Sequence, residues 1–221
     1  MHLLIIGGSD AGISAALRAR ELDPSVDTTV VVADAFPNYS ICGLPFYLSG
    51  EVGDYHNLAH RTAADIEGEG IRLLLDHTAQ TVDPGKKSVT VVGQDGRSQT
   101  LSYDKLVIGT GAVSARPQIE GLDLPGVYPM RWMRDGFAVY AHLTERDPQS
   151  AVVIGGGYIG MEMADGLTLR GLGVTVVEYF DTVLTTVNPA FGQVVREELE
   201  SHGVHVVTGA AVKRIEARGD R

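Results

Sequence analysis

Two glycine turns and one cysteine hold most of the chemical potential of this 221-residue chain. The first turn is Gly7-Gly8-Ser9-Asp10-Ala11-Gly12 and the second is Gly155-Gly156-Gly157-Tyr158-Ile159-Gly160. The second matches the spacing G-x-G-x-x-G in full, whereas the first has Ser9 at the middle place. A strand that ends in such a turn and opens a helix presents free N–H groups and the positive end of the helix dipole. Both favour a pyrophosphate. The glycines permit the tight turn, close approach of the phosphate and close packing of helix on strand. Ser9 adds a small side chain, which hinders that approach without excluding it. An acidic residue about 20 positions later can hold the hydroxyls of an adenosine ribose. Asp34 stands 22 residues after Gly12, and Glu178 stands 18 after Gly160. Two such sites predict two bound dinucleotides. Glu178 is followed by Tyr179-Phe180-Asp181, with no adjacent arginine for a 2′-phosphate, which favours NADH over NADPH there.

Cys42 lies in Asn38-Tyr39-Ser40-Ile41-Cys42-Gly43-Leu44-Pro45-Phe46-Tyr47, eight residues after Asp34. Asn38 or Ser40 could cap a helix here, and Pro45 is tolerated in a first turn. A thiol at a helix N-terminus tends toward the reactive thiolate. The competing reading is a buried structural cysteine, the commoner fate of a lone thiol.

These residues are positioned by a strand–turn–helix–strand pattern that occurs twice. The first copy runs from strand Leu3–Ile6 through a helix to about Leu22, stopped by Asp23-Pro24, and on to strand Thr28–Val32. The second runs from strand Ala151–Ile154 through a helix to about Arg170, closed by Gly171 and Gly173, and on to strand Val174–Val177. Between the copies, Ile71–Leu75 and Lys105–Ile108 read as strands, and 82–87 as the turn of a hairpin. A Pro/Gly-rich connector with Pro117, Gly121, Pro125, Gly126 and Pro129 marks a boundary. A helix over about Phe191–Ser201 and two short strands, Val204–Val207 and Val212–Ile215, follow the second copy. The expected fold is α/β with two Rossmann-like dinucleotide-binding domains. One occupies 1–112 and the other, incomplete, 151–221, with a connector and helix over 113–150.

Composition narrows the class. Apolar residues make up 44% and charged residues 21%, values of a globular chain rather than a disordered one. The net charge of -10 and the lack of a Lys/Arg run argue against nucleic-acid binding. No apolar run approaches the roughly 20 residues of a membrane span, and Met1–Ile6 lacks the basic start of a signal peptide. A single cysteine allows no internal disulfide and points to the cytoplasm, where the sequon Asn38-Tyr39-Ser40 has no use. His56 and His60 stand four apart but lack the Glu and third ligand of a zinc site, so no metal is expected. The Arg-Gly-Asp at 218–220 carries no weight.

Taken in order, Gly7–Gly12, Cys42–Tyr47, Gly109-Thr110-Gly111-Ala112 and Gly155–Glu162 resemble the flavoprotein pyridine nucleotide–disulfide oxidoreductases over essentially the whole chain. The likeness is greatest to their single-cysteine branch: CoA-disulfide reductases, NADH-dependent persulfide reductases, NADH oxidases and NADH peroxidases. The resemblance implies a three-layer FAD/NAD(P)-binding fold. Gly7, Gly8, Ser9, Ala11, Gly12 and Asp34 would hold FAD, with Thr110, Gly111 and Ala112 closing over it. Gly155, Gly157, Ile159, Gly160 and Glu178 would hold NADH, with Tyr158 and Glu162 bordering the nicotinamide–flavin contact. Cys42 would be catalytic, linked to a mixed disulfide, persulfide or sulfenic acid that hydride from NADH reduces by way of FAD.

Departures from the family pattern discriminate within the branch. The oxidases and peroxidases carry a His where Asp10 stands, which ranks peroxide chemistry lower. The CoA-linked members carry an Asn where Ile41 stands, which puts CoA itself in doubt. Arg18 and Arg20 could meet an anionic substrate, although a solvated helix face explains them better. Family chains are roughly twice this length and end in a dimerisation domain that completes the active site. This chain is therefore expected to correspond to the N-terminal half, to bind FAD loosely by itself and to turn over poorly. The function expected is NAD(P)H-dependent reduction of a CoA-type disulfide or persulfide by a homodimeric full-length enzyme. The alternatives are an oxidase or peroxidase acting on an oxygen-derived substrate, and an inactive nucleotide-binding fragment.

Overall fold

The computed structural model describes residues 1–218, so Gly219 and Asp220 of the Arg-Gly-Asp sequence lie outside the described residues. In chain order the elements begin β1 (His2–Ile6), α1 (Asp10–Leu22), β2 (Asp27–Val31), α2 (Leu44–Ser49), α3 (Ala63–Gly68) and β3 (Ile71–Leu74). They continue β4 (His77–Asp83), β5 (Ser88–Gly93), β6 (Ser98–Ser102), β7 (Lys105–Ile108) and α4 (Met133–Arg146). The last are β8 (Ser150–Ile154), α5 (Tyr158–Leu169), β9 (Gly173–Val177), α6 (Pro189–Ser201) and β10 (His205–Val207). They group into two compact units: Met1–Ser40 with His56–Val113, and Ile41–Tyr55 with the described residues from Ser114 onward.

The first unit is built on a parallel sheet in the order β3-β2-β1-β7. Its strands are covered on both faces, which is why Leu3–Ile6 reads as a continuous apolar run. Ile5, Val30 and Leu73 face Ile13 and Ala16 of α1 and Ile66 of α3. Leu4, Ile6 and Val31 face Val89 and Val91 of the antiparallel sheet β4-β5-β6. Three layers result, and the C-terminal ends of β1, β2 and β7 open onto the first glycine turn. Arg20 is consumed by this unit. Its guanidinium donates to the carbonyls of Glu69 at 2.9 Å, Val26 at 3.1 Å and Pro24. That bonding removes Arg20 as a candidate anion ligand, while Arg18 pairs with Glu21 at 2.7 Å.

Three aspartates of this unit have carboxyls held below the ordinary value of about 3.9. Asp23 accepts from the Ser25 hydroxyl and N–H, and Asp65 accepts from the Thr62 hydroxyl and N–H in a capping box at α3. Asp104 accepts from the His2 N–H at 2.7 Å. A carboxyl with a depressed folded pKa stabilises the fold above its unfolded pKa, and that contribution is lost as pH falls through the folded value. Thermal unfolding of this unit is therefore expected to be flat above about pH 5 and to move to lower temperature below about pH 4. Asp104→Asn, followed by calorimetry across that range, is expected to flatten part of the acid limb.

The second unit repeats the plan in the parallel order β10-β9-β8. Here β8 is an edge strand, whereas β1 is flanked by both β2 and β7. The consequence is exposure: Val152 and Ile154 of β8 are 65% and 43% exposed, while Leu4 and Ile5 of β1 are fully buried. The segment expected as strand Val212–Ile215 forms a single bridge, Arg214 to Glu120, because no neighbouring strand continues the ladder. α2 packs on α4 and α5 through glycines. A Cβ at Gly136 would press on Leu44, and one at Gly166 would lie 2.8 Å from the Pro45 carbonyl oxygen. Arg170 donates to the Leu48 carbonyl at 2.9 Å and lies over the Tyr140 ring. Tyr47 stacks on Tyr140 with centroids 4.6 Å apart, and its burial there pushes the phenol above its ordinary value.

Candidate dinucleotide and thiol sites

The two glycine turns share their backbone bonding. The Gly7 N–H donates to the Val31 carbonyl and the Gly155 N–H to the Val177 carbonyl, both at 2.9 Å. The Ile13 N–H donates to the Ser9 carbonyl and the Met161 N–H to the Gly157 carbonyl, opening α1 and α5 in the same way. Gly7 and Gly155 have φ of 119° and 108°, which only glycine adopts without strain. A Cβ at Gly12 would overlap the Gly7 carbonyl oxygen, and one at Gly160 would overlap that of Gly155. These four glycines are demanded by the fold.

Gly157 is different. Its φ is −80°, and a Cβ there would meet nothing within 4 Å. The fold does not require glycine at this place, and the missing side chain leaves the first N–H groups of α5 open to the closest approach of an anion. Ser9 holds the matching place in the first turn as the N-cap residue of α1, and its hydroxyl makes no capping bond. Both turns can thus seat a diphosphate, and both donor sets fit an anion.

The loop after β7 closes on the first turn. A Cβ at Gly7 would overlap the Gly109 carbonyl oxygen and lie 3.2 Å from the Thr110 nitrogen. A Cβ at Gly109 would lie 3.7 Å from that of Ala11. Gly111 and Ala112 follow directly, Gly111 with φ of 66°. Gly8 is packed under Val32. Asp34, just past β2, accepts the Phe36 N–H at 2.9 Å.

At the second turn Glu178 is nearly buried, at 8% exposure. One carboxylate oxygen accepts the Phe180 N–H at 2.8 Å, the counterpart of the Asp34 bond, and the other accepts the Gly156 N–H at 2.5 Å. The Gly156 contact was not readable from the sequence, because it joins residues 22 apart through the shape of the turn. Glu178→Gln keeps the shape but places an amide NH₂ against one of two N–H donors. It is expected to weaken a dinucleotide's binding at this turn about tenfold and lower the stability of this unit by about 2 kcal/mol. Isothermal titration and thermal melts check both. Tyr158 and Ile159 are more than half exposed, and Glu162 is exposed on the same end of α5.

Cys42 is exposed in a single 3-10 turn, Ile41–Gly43, that leads into α2. The buried structural reading is thereby removed. Pro45 stands in the first turn of α2 as expected, but neither Asn38 nor Ser40 caps it; Gly43 holds the cap position. Asn38 turns away into the first unit, where its amide bonds Asp10. Among the described residues no cluster of three or more His, Cys, Asp or Glu is placed to hold a metal, and no helix is long and apolar enough to cross a membrane.

The family model described as pyridine nucleotide-disulphide oxidoreductase matches residues 1–221. The chain belongs to this family. The relatives of this oxidoreductase chain include an NADH oxidase of Methanocaldococcus jannaschii, 33% identical over 97% of the chain and 48% of the relative. A CoA-dependent NAD(P)H sulfur oxidoreductase of Pyrococcus abyssi is 31% identical over 98% of the chain and 48% of the relative. Among solved structures, an NAD-dependent persulfide reductase from A. fulgidus is 34% identical with a TM-score of 0.94. That match spans 100% of the chain and 42% of the solved one. The oxidoreductase chain thus spans about half the length of the curated relatives it matches.

Proposed function

We propose that the first glycine turn binds FAD and the second NADH, and that the chain is the nucleotide-binding half of an enzyme that reduces a CoA-type disulfide or persulfide. The single observation that carries the two-dinucleotide reading is the common build of the two turns, each a glycine of φ above 100° leading into a helix whose first turn has no side-chain cap. FAD, when bound, supplies two-electron transfer between a nicotinamide and sulfur. The chain's own residues bind and orient. Gly7, Gly8, Ser9, Ala11 and Gly12 seat one diphosphate and Asp34 takes its ribose, with Thr110, Gly111 and Ala112 over it. Gly155, Gly157, Ile159 and Gly160 seat the other and Glu178 takes its ribose, with Tyr158 and Glu162 at the nicotinamide end. The FAD role is assigned to 1–112 and the NADH role to 151–221, joined by 113–150.

Cys42 is the residue to which the sulfur acceptor is linked, and its exposure supports access by a second molecule. NADH is preferred because the residues after Glu178 supply no cation for a 2′-phosphate. The lone thiol suits a cytoplasmic setting. The full-length enzyme is a homodimer. The sulfur reading is favoured over the oxidase reading by Asp10, which holds the place of a peroxide-assisting His. The deciding assay follows NADH consumption in the presence of CoA disulfide or a persulfide under air. Thiol release matching NADH use is expected; oxygen consumption matching it would favour the oxidase.

A further inference from the structure

Asn38 carries three unusual features at once. Its φ is 56°, in the left-handed region. It is 97% buried by its 3% exposure, and its side-chain oxygen has no partner. Of its remaining polar groups, two bond the first glycine turn and one bonds the backbone at His60. The Asn38 N–H donates to the Gly8 carbonyl at 2.7 Å, and its carbonyl accepts the His60 N–H at 3.0 Å. Its amide nitrogen donates to an Asp10 carboxylate oxygen at 2.9 Å. Strain and an unmet acceptor persist at one residue where the surrounding structure over-determines it, and such residues concentrate at functional sites.

Asp10 explains why. It is exposed in the first turn of α1, whose positive end attracts carboxylates and phosphates alike. A free Asp10 carboxylate would compete with, and repel, a diphosphate seated on the same N–H groups. We infer that Asn38 is a positioning residue for the first dinucleotide site: its amide restrains the Asp10 carboxylate so that it does not oppose the bound pyrophosphate. This rests on the reading of the first turn as an FAD site.

The test is a double-mutant cycle read by FAD affinity, using flavin fluorescence over a range of salt. Asn38→Gly keeps the left-handed backbone accessible and removes the amide. It is expected to weaken FAD binding about tenfold at low salt, with the loss shrinking as salt screens the repulsion. Asp10→Asn in that background is expected to restore affinity to within about twofold, whereas a purely architectural loss would not respond to removing a charge elsewhere. Thermal melts confirm folding of each variant, and Asp10→Asn alone, with Asn38 intact, is expected to change FAD affinity by less than about twofold, because the restrained carboxylate does not oppose the ligand. Unchanged affinity in a folded Asn38 variant, or a double variant as weak as the single one, overturns the inference. Failure of the unaltered chain to bind FAD overturns instead the reading of the turn on which it stands.

Discussion

Gly12→Ala is expected to abolish saturable FAD binding and to destabilise the first unit by about 3 kcal/mol, the upper end of the usual cost of overpacking. The added Cβ would overlap the Gly7 carbonyl oxygen and press on the Ile5 side chain. Neither neighbour can yield cheaply. Gly7 is held by its N–H bond to Val31 and by the Gly109 backbone packed against it, and Ile5 is fully buried in the central strand. For a unit of about 100 residues this loss lowers the melting temperature by roughly 12 °C or more. Gly157→Ala is the matched contrast. Its Cβ enters open space at an ordinary φ, so stability is unchanged or rises by up to about 1 kcal/mol as the unfolded chain loses freedom. NADH affinity is nevertheless expected to fall at least about tenfold, because the new methyl stands where the pyrophosphate approaches. A glycine whose loss spares folding and removes binding is explained by its ligand. Melts and NADH titrations of both variants settle whether the turns differ in this way.

Cys42→Ser is expected to lower NADH-driven thiol release from CoA disulfide by about 100-fold or more, since a hydroxyl is far weaker than a thiolate as a nucleophile toward sulfur. In the proposed reaction the Cys42 thiolate would attack one sulfur of the disulfide, forming a Cys42–CoA mixed disulfide and expelling one CoA thiolate. Two electrons from NADH would then reduce the mixed disulfide, releasing the second CoA and restoring the thiolate. Across the cycle one NADH and one proton yield two thiols and NAD⁺. Mass spectrometry of the oxidised chain is expected to show the Cys42 adduct and to lose it in the serine variant. The substitution is not expected to disturb folding, because Cys42 is exposed in a short turn. Unaltered turnover in Cys42→Ser would end the thiol mechanism and leave hydride transfer to oxygen.

Much of this architecture is legible in the chain itself. The apolar run at Leu3–Ile6 is a buried strand, Val174–Val177 is a strand with Val174 and Val176 buried, and the glycine spacings mark where α1 and α5 begin. These features depend on residues close in sequence. What escaped the sequence depends on partners brought together by folding. Arg20 resembles a free cation until the carbonyls of Glu69, Pro24 and Val26 surround it. Asn38 resembles a helix cap until its side chain meets Asp10, 28 residues away. Residues 212–215 carry β-branched Val212 and Ile215 as a strand would, yet form only one bridge, because a strand exists only where a neighbour shares its ladder. The equal treatment of Gly7 and Gly157 as motif glycines likewise concealed that one serves the backbone and the other open space.

The central claim, that this chain holds two dinucleotides on two copies of one turn, is tested most directly by titrating it with FAD and then NADH under anaerobic conditions while recording the visible flavin spectrum. Saturation at one FAD per chain is expected, followed by loss of the oxidised-flavin absorption as NADH binds. Absence of saturable FAD binding, or flavin binding that Gly12→Ala leaves intact in a folded chain, would contradict it.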